Sequence, residues 1–411
     1  MKVLWITNVE LPTPAYYFNR NTFVGGWMDQ SSVLLSQLEN VELYILSSGY
    51  SYEPIKIDNI TYIGFAADGR VSKHISEHID SIEPDIIHIW GTEFFHSYLA
   101  IKEIEKRNQL GKTVISIQGL VSVYTEHYFL GIPGYVKFGV TGYELIKRNT
   151  LLLTYLYMQK QGKYERETFR IAQNCIGRTE WDKACVHQIN RSIRYFKCNE
   201  ILRSGFYNKK WNYSQCIPHM IAFSQAHYPI KGVHFLIQAL SIVKDYYPDV
   251  CLEVPSQSPF VNGVLSKKKI GTYMRYLKKL VVKYNLIDNI RWIGSCDEEG
   301  MIDHYLRANV FVCSSTIENS SNSIGEAMLL GMPVIASDVG GVKSIITHQV
   351  DGLLYQTDAP YMLADAIMKV FDNVKWACKL GENAQKRASE IHDRVKNTET
   401  LKDIYIEMMG N

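Results

Sequence analysis

Val310-Phe311-Val312-Cys313 runs straight into Ser314-Ser315-Thr316-Ile317-Glu318-Asn319-Ser320-Ser321-Asn322-Ser323-Ile324-Gly325-Glu326-Ala327-Met328-Leu329-Leu330-Gly331-Met332-Pro333-Val334-Ile335-Ala336-Ser337-Asp338-Val339-Gly340-Gly341. The first four residues read as a buried strand. A Ser-rich loop follows, and a helix opens near Asn322 and runs over Ser323–Leu330. Pro333–Ala336 reads as the next strand. Short apolar runs separated by a helix form a βαβ unit, and such units build a parallel sheet.

The loop carries the chemistry. Small residues at a helix start, here Ser321, Asn322 and Ser323, leave free N–H groups at the positive end of the helix dipole, a natural seat for phosphate. Glu318 and Glu326 bracket the loop with seven residues between them. One carboxylate can face a sugar while the other accepts ribose hydroxyls. Taken alone, the same residues also read as a capped helix with acids placed favourably near its N-terminus.

Outward from this stretch the strand–helix alternation continues. Downstream of about residue 216 the strands are Met220–Ser224, Val250–Val254, Ile290–Ile293 and Gly352–Tyr355, with helices at Val233–Tyr246, Ile270–Tyr284, Met301–Arg307 and Met362–Val370. Upstream, strands are expected at Val3–Thr7, Val41–Leu46, Ile60–Phe65, Asp85–Ile89, Thr113–Ile117 and Cys175–Gly177. Helices are expected there at Met28–Leu38, Phe95–Arg107 and, as one long element, Thr141 to Ile171. Ser204 to Pro218 is polar and aromatic without a period and reads as a connection. The expectation is an α/β chain of two doubly wound Rossmann-like domains, 1–205 and 216–390, facing a central cleft. Residues 391–411 form a final helix returning to the first domain.

Composition is consistent with this. The 411 residues are 46% hydrophobic and 21% charged, enough core for two domains. A net charge of +2 points away from nucleic acid. Eight cysteines show no C-x-x-C spacing and read as reduced, packed thiols of a cytoplasmic protein. The apolar run at Val3–Thr7 is too short for a signal peptide, and no stretch approaches the roughly 20 apolar residues of a membrane span. There is no D-x-D pair, no P-loop, and no G-x-G-x-x-G after a strand, so no metal and no cofactor are expected.

The segment as a whole resembles the retaining glycosyltransferases of family 4, which have the GT-B fold. The resemblance rests on the paired glutamates, Glu326-Ala327-Met328, Gly331-Met332-Pro333-Val334-Ile335-Ala336-Ser337, Gly340-Gly341 and Asp351-Gly352-Leu353-Leu354. It implies that Glu326 binds ribose and Glu318 contacts the donor sugar. A second match is Ile230-Lys231-Gly232, which implies that Lys231 meets the diphosphate as a compact point charge. Val24-Gly25-Gly26-Trp27 matches the family's Gly-rich loop facing donor phosphates and acceptor.

Two positions depart from the pattern. The family usually has an arginine five residues before the lysine; here Ala226 stands there, with His227 and Arg291 as substitutes to consider. Where members often have a histidine contacting the sugar, this chain has Gln118, a positioning group that cannot act as a base near neutral pH. His88, ending a strand, reads equally as a cleft residue or a satisfied core histidine.

The resemblance implies transfer of a sugar from a nucleotide-sugar donor to a glycan or lipid-linked glycan, as in bacterial surface polysaccharide synthesis, without a metal. A nucleotide-sugar epimerase and a noncatalytic binding protein are the rival readings. Two basic stretches remain, Lys267–Lys283 and Lys147–Arg170. The second flanks the apolar residues 151–158 and raises peripheral contact with the inner face of a membrane against the reading as a plain solvated helix.

Overall fold

The computed structural model describes residues 1–20, 25–66, 70–260 and 270–410. Its chain divides into two compact units, Met1–Val123 with Gln159–Arg203 and His392–Asn411, and Tyr124–Met158 with Ser204–Ile391.

The first unit is built on an eight-stranded sheet: β1 (Lys2–Thr7), β2 (Glu42–Gly49), β3 (Tyr52–Ile57), β4 (Ile60–Ala66), β5 (Ile86–Trp90), β6 (Thr113–Ser116), β7 (Asn174–Gly177) and β8 (Arg194–Lys197), in the order β3-β4-β2-β1-β5-β6-β7-β8. All neighbours are parallel except β3 against β4. Side chains alternate across a strand, so β1 buries both faces. Leu4 and Ile6 join one core with Ile87, Ile89 and Ile115, covered by the helices Val71–Ile82 and Phe95–Lys106. Val3 and Trp5 join the other with Ile45 and Ile86, covered by Met28 and Leu35 of the helix Gly26–Ser36 and by the final helix, Arg394–Met409.

One hydroxyl ties that final helix to two strands of the sheet. Tyr405 accepts the Trp5 indole N–H at 3.0 Å and hydrogen-bonds His88 Nδ1, while His88 Nε2 meets Ser116 Oγ at 2.6 Å. His88 is fully buried and stacks on Trp90, and burial pushes its pKa down to about 3. It is a neutral core histidine, not a cleft residue.

The second unit carries a six-stranded parallel sheet: β9 (Met220–Ala222), β10 (Cys251–Val254), β11 (Ile290–Trp292), β12 (Val310–Cys313), β13 (Val334–Ser337) and β14 (Leu353–Tyr355), ordered β11-β10-β9-β12-β13-β14. Its central strands are buried on both faces, which is why they read as unbroken apolar runs. The connection after Arg203 is not a free linker. Phe206 and Trp211 are buried in this unit, and the Trp211 indole donates to the Ala308 carbonyl at 2.8 Å.

Several expectations need correction. The long helix from Thr141 is two helices, Gly142–Lys147 and Leu151–Ile171. Arg148 adopts a left-handed φ of 52°, and Thr150 Oγ1 accepts the Leu153 N–H, so one helix is stopped and another started. Residues 124–158 group with the second unit rather than with a first domain of 1–205. The helix Val374–Ile391 and the edge strands β3 and β8 were not expected. Val24 and Lys267–Lys269 lie outside the described residues. All eight cysteines are free thiols.

Replacing Tyr405 by Phe should remove one hydroxyl and leave two buried nitrogens unsatisfied. A loss of about 1–3 kcal/mol is expected in urea unfolding; unchanged stability would show that the hydroxyl does not hold the final helix.

Candidate functional site

Open parallel sheets bind ligands beyond the carboxyl ends of their strands, where the strand order reverses. In the second unit that point lies between β9 and β12, because β10 and β11 extend to one side and β13 and β14 to the other. The loops that leave β9 and β12 carry Lys231 and Glu318 respectively.

These two side chains meet. Lys231 Nζ lies 2.8 Å from Glu318 Oε2, which also accepts the Ser315 hydroxyl at 3.0 Å. Both residues are largely buried, with side chains 21% and 11% exposed, so each charge depends on the other. Burial acts to lower the Lys231 pKa, but the Glu318 charge and hydrogen bond override it and hold the ammonium above its ordinary range.

Backbone contacts set this geometry. Lys231 ends a short 3₁₀ turn, and Gly232 begins the helix Val233–Tyr246 with φ of 66°. A Cβ at Gly232 would lie 1.8 Å from the Ser314 carbonyl oxygen. The Thr316 N–H donates to the Ile230 carbonyl at 2.7 Å, tying the two loops together. Gly340, after β13, makes the same close approach on the other side. Its φ is 50°, and a Cβ there would sit 2.0 Å from the Glu318 carbonyl oxygen. The Gly-Gly of the sequence therefore serves the placement of Glu318.

The helix after the loop spans Asn322–Leu330, with Ser321 as its N-cap residue. Ser321 makes no side-chain cap; its hydroxyl instead pairs with that of Ser323 at 2.9 Å. The leading N–H groups are thus not taken by that side chain. The Asn322 Oδ1 atom is buried without a hydrogen-bond partner among the described residues. Glu326 lies buried one turn into the helix. The structure thus places Lys231, Glu318, Ser321, Asn322, Ser323 and Glu326 on the β9 and β12 loops and the helix that follows.

The first unit has its own reversal, between β1 and β5. Gly25 caps the helix Gly26–Ser36 with φ of 79°. Gln118, two residues past β6, is partly buried and its amide Nε2 lies 3.7 Å from Met28 Sδ of that helix. Gln118 therefore neighbours Met28, in the first turn of the helix that Gly25 caps.

Sequence reasoning missed the acids here, Glu93 partly buried and Glu165 fully buried. Glu93 follows β5 and accepts the Thr92 N–H at 2.7 Å. A Cβ on Gly91 would lie 2.9 Å from Glu93 Oε2 and 3.3 Å from Gln118 Oε1, so both side chains close over Gly91. Glu165 accepts the N–H groups of Val121 and Ser122 and the hydroxyls of Thr92 and Ser122. Burial, with a smaller contribution from Glu165, pushes the Glu93 carboxyl up to about 7. Arg178 pairs with Glu200 and donates to the Gln118 carbonyl at 2.7 Å, fixing the loop after β6. A glutamate four residues past the expected strand end at Ile89 was the only available signal.

Residues 218–387 match the family model described as Glycosyl transferases group 1. That segment is similar to the group 1 glycosyl transferases. The chain is 27% identical to YtcC of Bacillus subtilis over 188 residues, 45% of this chain and 44% of YtcC. It is 27% identical to a D-inositol 3-phosphate glycosyltransferase of Corynebacterium glutamicum over 177 residues, 41% of this chain and 39% of that one. The matched region thus spans less than half the length of each relative. Among solved structures, Anabaena Alr3699/HepE in complex with UDP-glucose aligns with a TM-score of 0.69 at 15% identity, over 99% of this chain and 100% of that one. This likeness shows the fold, which is GT-B.

Within the matched segment, the position of the missing arginine is closed. Ala226 is fully buried, and its N–H donates to Ser256 Oγ at 2.9 Å. Arg291 is no substitute on this loop: it stands on the edge strand β11 with its guanidinium 3.8 Å from Glu253 of β10. His227 does share the β9 loop, and burial lowers its pKa, so it is neutral at pH 7.

The raised pKa of Glu93 has a thermodynamic consequence. A carboxyl that holds its proton more tightly folded than unfolded stabilises the fold fully below about 4.5, and this is lost as the pH rises through about 7. Glu93→Gln should therefore gain melting temperature on the wild type between about pH 5 and about pH 8, by a few degrees at roughly 2–4 °C per kcal/mol. A difference that stays flat with pH would show that Glu93 titrates normally.

Proposed function

We propose that this protein is a retaining glycosyltransferase that moves a sugar from a nucleoside diphosphate carrier to a glycan or lipid-linked glycan acceptor. The observation that carries this is the Lys231–Glu318 pair at the strand-order reversal of a segment similar to the group 1 glycosyl transferases. Support for a nucleotide-sugar donor comes from HepE, which was solved with UDP-glucose, and from the Corynebacterium relative, named as a glycosyltransferase.

Each residue has a chemical part. A leaving diphosphate develops negative charge as the sugar–oxygen bond breaks. Lys231 meets that charge with an ammonium already in a water-poor setting, where it acts most strongly. The N–H groups at Asn322 and Ser323 add the helix dipole. Glu326 accepts the ribose hydroxyls, and Glu318 accepts hydroxyls of the sugar. In front-face chemistry the departing phosphate assists the acceptor, so the protein's task is positioning and charge. Gln118 and the Gly25–Gly26 turn are assigned to positioning the reactants. The cationic work being assigned to Lys231 and the helix, the reaction is proposed to need no divalent metal. Surface polysaccharide synthesis, on the cytoplasmic side of a membrane, is the proposed setting.

The test is incubation with a panel of nucleotide sugars, with and without cell-envelope acceptors, in the presence of EDTA. Acceptor-dependent transfer is expected. Turnover without acceptor would favour an epimerase, and binding without turnover a noncatalytic protein.

Lys231→Ala should lower kcat/KM by about 10²–10³, the usual cost of one charge-assisted donor at a developing anion. Retained activity within a few fold would remove Lys231 from the reaction. Glu326→Ala should weaken binding of the bare nucleotide, whereas Glu318→Gln should not weaken it and should depress kcat. Calorimetric titration separates them, and equal affinities for wild type and Glu326→Ala would contradict the ribose assignment.

A further inference from the structure

In the second unit, residues 124–158 carry an unusual share of exposed apolar surface. Tyr135, Phe138, Val140, Leu145, Ile146 and Tyr157 are all exposed, Phe138 by 64% and Ile146 by 83%. Leu153 and Leu156 continue this surface on the helix Leu151–Ile171.

The segment is held firmly. The Glu144 carboxylate accepts the Thr141 N–H, closing a capping box on its own helix. The same carboxylate accepts the Thr272 N–H at 2.8 Å and the Thr272 hydroxyl at 2.6 Å, capping the helix Thr272–Lys283. Tyr135 packs edge-on to Tyr276 of that helix, and Lys279 lies over the Tyr135 ring. Lys137 lies over Phe129, whose ring meets Tyr155 of the next helix. Glu144 faces inward, so its neighbours Leu145 and Ile146 face out.

Charge decides what such a face suits. Between residues 124 and 158 the acids are Glu126, exposed at the segment's start, and Glu144, buried and engaged with Thr272. The same stretch holds Lys137, Lys147 and Arg148, and the helix packed against it adds Arg275, Lys278, Lys279 and Lys283 with no acid. A second copy docking face to face would oppose like charges. Apolar and aromatic side chains ringed by cations instead fit a surface that is anionic outside and apolar beneath.

We infer that the Tyr135–Tyr157 face, with Lys137, Lys147, Arg148 and Lys279, docks on an anionic lipid surface. Contact is peripheral, since no helix among the described residues is long and apolar enough to cross a membrane. This places the contact differently from the sequence expectation of Lys147–Arg170. The exposed apolar residues end at Tyr157, and the basic residues Lys160 to Arg170 belong to the first unit. The inference does not depend on glycosyl transfer, and its test measures lipid binding alone.

The experiment is co-sedimentation of the full chain with phosphatidylcholine vesicles, with and without phosphatidylglycerol. Binding is expected only with the anionic lipid, with release at about 1 M salt, where the Debye length is about 3 Å. Phe138→Asp with Ile146→Asp, and separately Lys147→Glu with Lys279→Glu, should each weaken binding by about tenfold or more. All four side chains are exposed, so both pairs should melt with the wild type. No binding to anionic vesicles, or equal binding by the wild type and both folded variants, would overturn the inference. So would a lipid-free dimer that the first pair abolishes, which would assign the face to a second copy.

Discussion

An ammonium and a carboxylate share a largely buried position at the strand-order reversal of the second sheet, and each is tolerable there only because of the other. An isolated lysine at that depth would shed its proton, and an isolated glutamate would take one up. Their 2.8 Å contact holds the lysine as an ammonium despite its burial. The surrounding backbone is arranged around that need. Gly232 lets the Lys231 turn press against the Ser314 carbonyl, and Gly340 lets the next loop press against that of Glu318. Neither position admits a side chain, so the loop after β12 is clamped from both sides.

The two units place different ionisable groups at the same topological point. In each, the first strand lies inside the sheet and the order reverses beside it. The second unit places a paired cation at that point. The first places acids, Glu93 and Glu165, held by backbone N–H groups and hydroxyls. Burial favours the protonated form of Glu93 near neutrality. A neutral carboxyl can donate a hydrogen bond as well as accept one.

The second sheet was readable from the sequence because its strands are buried on both faces. Val310–Cys313 and the strand at Val334 stand as unbroken apolar runs, and Val233–Tyr246 was placed to the residue. Lys231 and Glu318 were readable through motifs, although their contact was not, since 87 residues separate them. The failures have physical causes. β3 contains Pro54 and alternates little, because an edge strand needs only one set of ladder bonds. The break at Arg148 depends on a left-handed residue with no glycine to announce it. Glu93 and Arg178 owe their character to burial by distant segments, which no local pattern encodes.

Ala226 bears on how the proposed reaction would balance charge. With that position closed by its bond to Ser256 and Arg291 turned to Glu253, the loop after β9 offers Lys231 and a neutral His227. Lys231 is already neutralised by Glu318. A diphosphate would therefore have to compete with a carboxylate for the same ammonium, and would do so with more charge and more acceptor oxygens. Glu318, released from the lysine, would be left buried and in need of donors, which the hydroxyls of a sugar supply. Donor binding and glutamate placement would then be one event, and a nucleotide lacking the sugar would leave that carboxylate unsatisfied. On this reading the pair does more than fill a buried site. It would link occupancy by phosphate to occupancy by sugar, so that the complete donor would be preferred to its parts.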